Sequence, residues 1–169
     1  MENALPQALQ QATDAWRSTH MGRLLGEALR RFDGRVQELM AHSADAPLQL
    51  ANLAARGKIS AAILHITRHL DPTGTRLTTL AQRAGMSKQA MTTLVSECEA
   101  WGIVQREADA LDARAKLVRF TPLGLQWLAA LEQAVRQAQR ELNQEVGEQI
   151  AQVMALGLEA YARGYETGI

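Results

Sequence analysis

Apolar residues recur three or four positions apart over two long stretches of the chain, a spacing that places them on one face of a helix. The first stretch covers residues 6–41, where Pro6 suits an opening helical turn. It predicts one long helix. Its three glycines are interpreted as breaks or as close approaches between helices: Gly22, Gly26 and Gly34.

The second stretch begins at the capping residue Thr121, followed by Pro122, and continues to about Arg163. It predicts a second long helix. Its apolar positions alternate three and four apart, as in a helix that packs against a partner: Leu128, Leu131, Val135, Ala138 and Leu142.

The pattern between these helices is less regular. Residues 42–47 predict a break, and Pro47–Arg56 is ambiguous but compatible with a short helix. Lys58–Leu70 again has a helical stripe, and it ends at the turn-forming residues 71–74. The sequence therefore predicts a further helix over residues 58–70. Shorter elements begin after the turn, at residue 77.

Residues 77–120 begin with two short helical patterns, Thr78–Ala84 and Lys88–Trp101, separated by Gly85-Met86-Ser87. Glycine tolerates a positive φ at the end of a helix, and serine caps the helix that follows. Two short helices joined by such a turn predict a helix-turn-helix. The apolar arc of the second helix would face the first helix: Ala90, Met91, Leu94, Val95, Cys98 and Trp101.

The opposite face of the second helix is polar. In a helix-turn-helix the first turns of this helix enter the major groove of DNA. Glutamine can bond adenine, lysine can reach guanine or phosphate, and threonine methyl groups can contact thymine. A solvated face of an ordinary helix has the same polarity, but the neighbouring elements favour DNA contact. The residues assigned to this contact are Ser87, Lys88, Gln89, Thr92 and Thr93.

Two β-prone stretches follow, Ile103–Arg106 and Lys116–Phe120, and the polar segment Glu107–Ala115 lies between them. We expect this segment to form a long flexible loop, a wing beside the second helix. Arg114 in this loop would enter the minor groove, where the negative potential is strongest, and Asp112 could hold it in place. A surface Asp–Arg pair of little energetic value is the alternative. Arg106 and Lys116 are assigned to the same DNA-binding surface.

The stretch LTTLAQRAGMSKQAMTTLVSECEAWGIVQREADALDARAKLVRFTPLG closely resembles the core of the MarR family of regulators. The features that carry the resemblance are Leu80-Ala81, Gly85 with Ser87, Gly102-Ile103-Val104, Arg106, the wing pattern Asp109-x-x-Asp112-x-Arg114-Ala115-Lys116, and Thr121-Pro122-x-Gly124. They span about 50 residues.

The resemblance implies a mainly α fold with a small β-hairpin wing, a winged helix-turn-helix flanked by N- and C-terminal dimerisation helices. The implied regions are 1–56 (N-terminal dimerisation), 57–120 (DNA binding) and 121–169 (C-terminal dimerisation). It also implies a homodimer that binds a pseudo-palindromic, double-stranded DNA operator as a repressor. A small lipophilic or phenolic effector would bind between the winged domain and the helical dimer domain.

The amino-acid composition indicates the cellular compartment in which the protein is expected. Apolar residues make up 47% and charged residues 21% of the 169 positions, as in soluble globular proteins. No apolar run is long enough to span a membrane, the first residues lack a secretory signal, and the single cysteine suits a reducing compartment, so we expect a cytoplasmic protein. The net charge is zero, but residues 76–119 hold seven Lys/Arg against five acids, a weak bias toward DNA.

The sequence gives little support to redox sensing, metal binding or catalysis. Cys98 could be a redox sensor, but its place on the apolar arc predicts a packed, inert thiol. His65 and His69 have the spacing of two metal ligands without a third nearby, so no metal is expected. Trp16 and Trp127 are expected in the core or the dimer interface. No catalytic or cofactor-binding motif is present, so neither enzymatic activity nor a cofactor is expected.

One alternative function stays open at this point: a winged-helix module that binds a protein partner and no DNA. The zero net charge favours it slightly, as does Ala113, which stands where the MarR family often has a basic residue. Salt-insensitive binding to a protein would identify it.

Overall fold

The computed structural model describes residues 16–55, 66–109 and 112–163, and it shows a mainly helical chain with a small antiparallel sheet. This architecture confirms the predicted fold class, a winged helix-turn-helix between longer helices. The helices that lie wholly within the described residues are α1 (Met21–Ala41), α2 (Leu48–Ala55), α3 (Leu77–Arg83), α4 (Lys88–Ala100), α5 (Pro122–Val146) and α6 (Glu148–Arg163). The strands are β1 (Thr75–Arg76), β2 (Val104–Asp109) and β3 (Asp112–Phe120), in the sheet order β1-β3-β2.

The predicted helix over residues 6–41 is interrupted at His20. Residues 16–19 are helical, but His20 is extended (φ −70°, ψ 145°), and its Nδ1 accepts a hydrogen bond from the Arg23 N–H at 3.2 Å. His20 therefore caps α1, and the prediction of one continuous helix is wrong at this position. The three glycines interpreted as breaks or close helix approaches lie inside α1 and do not break it, and residues 6–15 lie outside the described part.

The central helices settle one ambiguity. Residues 48–55 form α2, so the stretch described as ambiguous contains a short helix. Of the predicted helix Lys58–Leu70, residues 66–69 are helical, with Ile66 and Leu70 buried, and the earlier residues lie outside the described part.

The core lies where α4, the sheet and α5 meet. It includes fully buried side chains from each of these elements and from the helices beside them: Val36, Leu50, Leu80, Met91, Val95, Cys98, Ile103, Val118 and Trp127. The helix-turn-helix is thus part of the core and shares its packing with α1 and α5.

Helix α5 begins as predicted: the Thr121 hydroxyl accepts a hydrogen bond from the Gly124 N–H at 2.9 Å, with Pro122 in the first turn. It ends at Gly147, where φ is +90°, so the predicted continuous helix to Arg163 is wrong there. The apolar seam of α5 packs on its own chain, since Leu131 and Ala138 are buried in the core cluster.

Within the described ranges, the single chain has two exposed apolar surfaces. One lies on the N-terminal half of α1 and the turn before it, and the other covers α6. Their exposed side chains are Trp16, Met21, Leu24, Leu25 and Leu29 in the first, and Ile150, Val153, Met154, Leu156, Leu158 and Tyr161 in the second. Trp127 is buried, as predicted, whereas Trp16 is 66% exposed and stacks on His20.

Candidate nucleic-acid interface

The turn between α3 and α4 has the geometry that the sequence predicted. Gly85 adopts φ +62°, and the Met86 N–H reaches back to the carbonyl of Ala81 at 2.9 Å, which closes the end of α3. Ser87 is extended, and its Oγ accepts a hydrogen bond from the Ala90 N–H at 3.1 Å. The helix boundaries differ by one residue from those predicted.

Helix α4 separates its two faces as expected. Met91, Val95 and Cys98 are fully buried, and Ala90, Leu94 and Trp101 are half-buried. The five residues assigned to DNA contact are all exposed at the N-terminal end of the helix: Ser87, Lys88, Gln89, Thr92 and Thr93. The structure therefore brings these five side chains together on one accessible surface, which we call the recognition face.

The hydroxyls of the recognition face are partly engaged by the helix itself. Thr92 Oγ1 donates to the carbonyl of Lys88 at 2.7 Å, and Thr93 Oγ1 donates to the carbonyl of Gln89 at 3.3 Å. Each threonine therefore offers its methyl group and a hydroxyl acceptor to a ligand. Lys88 and Gln89 supply the donors, and both are exposed.

The wing is shorter in its loop and longer in its strands than predicted. The ladder continues past Arg106 through Glu107↔Leu117 and Ala108↔Lys116, with an irregularity between Ala108 and Asp109. Residues 110 and 111 alone lie between the strands, so the prediction of a long flexible loop over Glu107–Ala115 is wrong. Main-chain pairing with β3 extends the strand despite its polar sequence. Val118 and Phe120 are buried and Arg119 is exposed, the alternation of a strand with one face on the core.

A third strand, β1, was missed by the sequence analysis. Thr75 pairs with Val118 and Arg76 with Leu117, on the side of β3 opposite to β2. Two residues are too few to produce a periodic signal, and the available indication was the turn that precedes a β-branched residue.

The basic residues predicted on the wing have different settings. Lys116 is exposed on β3. The side chains of Asp112 and Arg114 lie outside the described residues, so their pairing stays a prediction. Instead, the described part of the wing is held by Asp109, whose side chain is 10% exposed and accepts a hydrogen bond from Arg76 Nε at 2.6 Å.

Arg106 points at α4. Its Nη1 donates to Glu99 Oε2 at 2.5 Å, and its Nη2 donates to the Thr92 carbonyl at 2.9 Å and to Ser96 Oγ at 3.0 Å. Its backbone N–H donates to Glu99 Oε1 at 2.9 Å. Arg106 thus stands behind the recognition face, and its partner Glu99 was not among the residues predicted from the sequence. Glu99 and Arg106 are seven residues apart, one in a helix and the other in a strand, and such a pair leaves no periodic pattern in the sequence.

Cys98 has the environment of a structural thiol. Its side chain is fully buried, and burial raises its pKa from the ordinary 9.0 to about 12, with smaller contributions from the charges of Glu97 and Glu99. The predicted packed position is confirmed. His65 lies outside the described residues. Among those described, no three His, Cys, Asp or Glu side chains are grouped as metal ligands.

A cavity of about 440 Å³ lies in the helical region, between α1 and the α5–α6 corner. Phe32, Leu142 and Met154 form part of its apolar wall. Arg35 and Glu141 line it and bond each other, at 2.7 Å from Nε to Oε2, which lowers the pKa of Glu141 to about 2. This cavity is a different place from the predicted effector site beside the winged domain.

Across the described ranges, none of the helices combines the length and the hydrophobicity needed to cross a bilayer.

Comparison with known proteins agrees with this geometry. Residues 57–115 match the model of the MarR family. The sequence has no significant match among curated proteins. Among solved structures, the repressor CouR bound to a 23-mer DNA duplex is 18% identical, with 87% of this chain and 95% of CouR covered and a TM-score of 0.65.

Two ligand complexes have the same fold. CouR from Rhodococcus jostii RHA1 bound to p-coumaroyl-CoA is 19% identical, with 90% and 96% of the two chains covered and a TM-score of 0.63. PcaV from Streptomyces coelicolor with its natural ligand is 17% identical, with 88% and 96% covered and a TM-score of 0.60. At such identities these likenesses establish the fold. The chain has the winged helix-turn-helix fold, and its residues 57–115, which include α3, α4 and β2, match the MarR family.

Proposed function

We propose that this chain is a ligand-responsive DNA-binding transcription regulator, a homodimeric repressor of a pseudo-palindromic operator. The observation that carries the proposal is the recognition face: five exposed polar residues at the free N-terminal end of α4, beside a short antiparallel hairpin. Free helix N–H groups and the positive end of the helix dipole favour phosphate at this end. The proposal places the protein in the cytoplasm, with the chromosome.

The chemistry of the recognition face suits the major groove. Gln89 can bond adenine in a bidentate manner, Lys88 can reach guanine or phosphate, and the methyl groups of Thr92 and Thr93 can contact thymine. Lys116, with Arg114, would contact the duplex from the wing. The DNA complex of CouR, a protein of the same fold, supports DNA as the partner.

Homodimerisation accounts for the uncovered apolar surfaces on α1 and α6. Monomeric soluble proteins rarely leave such contiguous patches in water, and burial of apolar surface favours association. In a two-fold dimer the two α4 helices would enter successive major grooves about 34 Å apart. Light scattering tests this step, and a stable monomer at micromolar concentration would refute it.

An effector would act by binding one dimer arrangement more tightly than the other. The ligand complexes of CouR and PcaV support a small-molecule effector, and the proposed class is lipophilic or phenolic. Its site, between the winged domain and the helical region, stays a prediction.

Fluorescence anisotropy tests the DNA-binding step. The probe is a duplex from the intergenic region upstream of the protein's own gene, compared with a random duplex of equal length. Lys88→Ala combined with Gln89→Ala should weaken binding to the upstream duplex, by about 1–3 kcal/mol for each lost base contact.

The matched control is Arg136→Ala combined with Gln139→Ala. It removes the same charge and a glutamine from the exposed surface of α5, and it should leave affinity unchanged. A wild-type protein that does not prefer the upstream duplex over the random one refutes the proposed function. Salt-insensitive binding to a protein partner would then support the interaction module.

A further inference from the structure

We propose that Arg106 is a positioning residue that fixes the recognition helix to the wing through Glu99, rather than a residue that contacts DNA. The proposal rests on the proposed DNA-binding function and concerns the same site. It explains why a basic residue on the wing directs its guanidinium toward the protein.

Arg106 lies on the inner face of the sheet. It is two residues after the buried Val104 and pairs across the ladder with Val118, which is fully buried. Its side chain is 25% exposed. The stem therefore passes along the apolar side of the hairpin, and the guanidinium reaches the polar edge of α4.

The contacts of Arg106 span two turns of α4. One guanidinium nitrogen holds Glu99 near the end of the helix, and another holds the Thr92 carbonyl and the Ser96 hydroxyl. Thr92 belongs to the recognition face, so Arg106 binds the backbone of a residue whose side chain is assigned to DNA. Hydrogen bonds between charged groups are the strong kind, and two bonds to one carboxylate also fix its orientation.

A second ion pair on the same strand strengthens this arrangement. Asp109 of β2 bonds Arg76, the residue that directly precedes α3. Strand β2 is thus tied to both helices of the helix-turn-helix, at Arg106 and at Asp109. Functional groups must be held to within about 0.5 Å to keep their geometry, and these two pairs supply such support behind the recognition face.

The effect of replacing Glu99 on DNA affinity distinguishes a positioning role of Arg106 from a phosphate contact. If Arg106 bound phosphate, Glu99 would compete for it, and Glu99→Gln would leave DNA binding equal or stronger. If Arg106 positions the helix, Glu99→Gln removes its charged partner and weakens binding. Phosphate contact and helix positioning therefore predict opposite changes in DNA affinity for the single substitution Glu99→Gln.

The experiment compares Arg106→Gln, Glu99→Gln and their double variant in the full-length chain. The matched control is Arg119→Gln with Glu107→Gln, an Arg–Glu pair of the same hairpin that is 3.4 Å apart and about half exposed. Hydrogen exchange followed by mass spectrometry is measured on the free protein. Anisotropy with the upstream and random duplexes is measured over a series of salt concentrations.

The positioning role predicts faster exchange over residues 92–100 and 104–109 in both single variants and little change in the control. Both single variants should bind the upstream duplex about tenfold more weakly, with an unchanged salt slope, and the double variant should bind no more weakly than either. If Arg106→Gln does not fold, Glu99→Gln carries the test.

Three results would overturn the positioning role: equal or tighter DNA binding by Glu99→Gln, a salt slope reduced by about one in Arg106→Gln, or unchanged exchange in both variants. A wild-type protein without preference for the upstream duplex refutes the proposed function instead. The exchange data then decide separately whether Arg106 holds α4 to the hairpin.

Discussion

Cys98 shows how a single residue can be assigned from its position in a pattern. The sequence placed it on the apolar arc of α4 because residues 91, 95 and 98 recur at helical spacing, and all three are fully buried. The same logic could not find the Glu99–Arg106 pair or the Arg76–Asp109 pair. Each joins a helix or its first flanking residue to a strand, and only the folded chain brings the partners together.

The raised pKa of Cys98 gives a prediction about stability at high pH. The folded state keeps the thiol protonated until about pH 12, whereas the unfolded chain releases this proton near its ordinary pKa of 9.0. The stabilising contribution is therefore complete below pH 9 and is lost as the pH rises toward 12. Chemical denaturation of the wild type and Cys98→Ala should show the wild type losing more stability over this range. Parallel curves would contradict the buried, protonated thiol.

At the scale of elements, local patterns predicted helices better than strands. Helix α4 was predicted within one residue because its faces, its serine cap and the preceding glycine all lie in one short segment. The wing was predicted less well because its strands extend through main-chain pairing between β2 and β3, which leaves no periodic signal in polar residues such as Glu107. The breaks at His20 and Gly147 were missed for a similar reason, since a cap can replace a helical residue without changing the apolar pattern.

The packing of α5 against the wing depends on Gly124. A Cβ at this position would lie 1.9 Å from the carbonyl oxygen of Ile103 and 3.2 Å from the Phe120 ring. Because the nearest atom belongs to the backbone, α5 must move to accept any side chain. Gly124→Ala should therefore destabilise the protein by about 1–3 kcal/mol in chemical denaturation.

Gly34, inside α1, is the control for this prediction. A Cβ there meets nothing within 4 Å, so Gly34→Ala should be neutral or stabilising by about 0.5–1 kcal/mol. If the two substitutions have equal effects, the close approach of α5 to Ile103 does not limit packing.

At the scale of the whole molecule, an ion pair joins the N-terminal helix to the winged region. Asp33 of α1 is 8% exposed, and both of its oxygens accept hydrogen bonds from Arg68, which lies in the helical residues 66–69. The uncovered apolar surfaces that we assign to dimerisation begin on the same α1 helix. The pair therefore links the proposed dimer region to the region that carries α4.

Asp33→Asn should destabilise the chain because Arg68 loses its buried carboxylate partner. Arg68 is 32% exposed, so we expect a loss of about 1–3 kcal/mol, less than for a fully buried pair. The control is Arg31→Gln, which breaks the exposed pair with Glu145 and should cost less than about 1 kcal/mol. Equal losses in chemical denaturation would show that the Asp33–Arg68 pair has no special role.

The central proposal is that the protein is a homodimer in which the exposed N-terminal half of α4 from each protomer binds DNA. Hydroxyl-radical footprinting on the upstream intergenic duplex tests it most directly. The wild type should protect two patches about one helical turn apart, centred on successive major grooves. Lys88→Ala with Gln89→Ala should lose both patches, while Arg136→Ala with Gln139→Ala keeps them. No protection by the wild type, or the same two patches with Lys88 and Gln89 replaced, would contradict it.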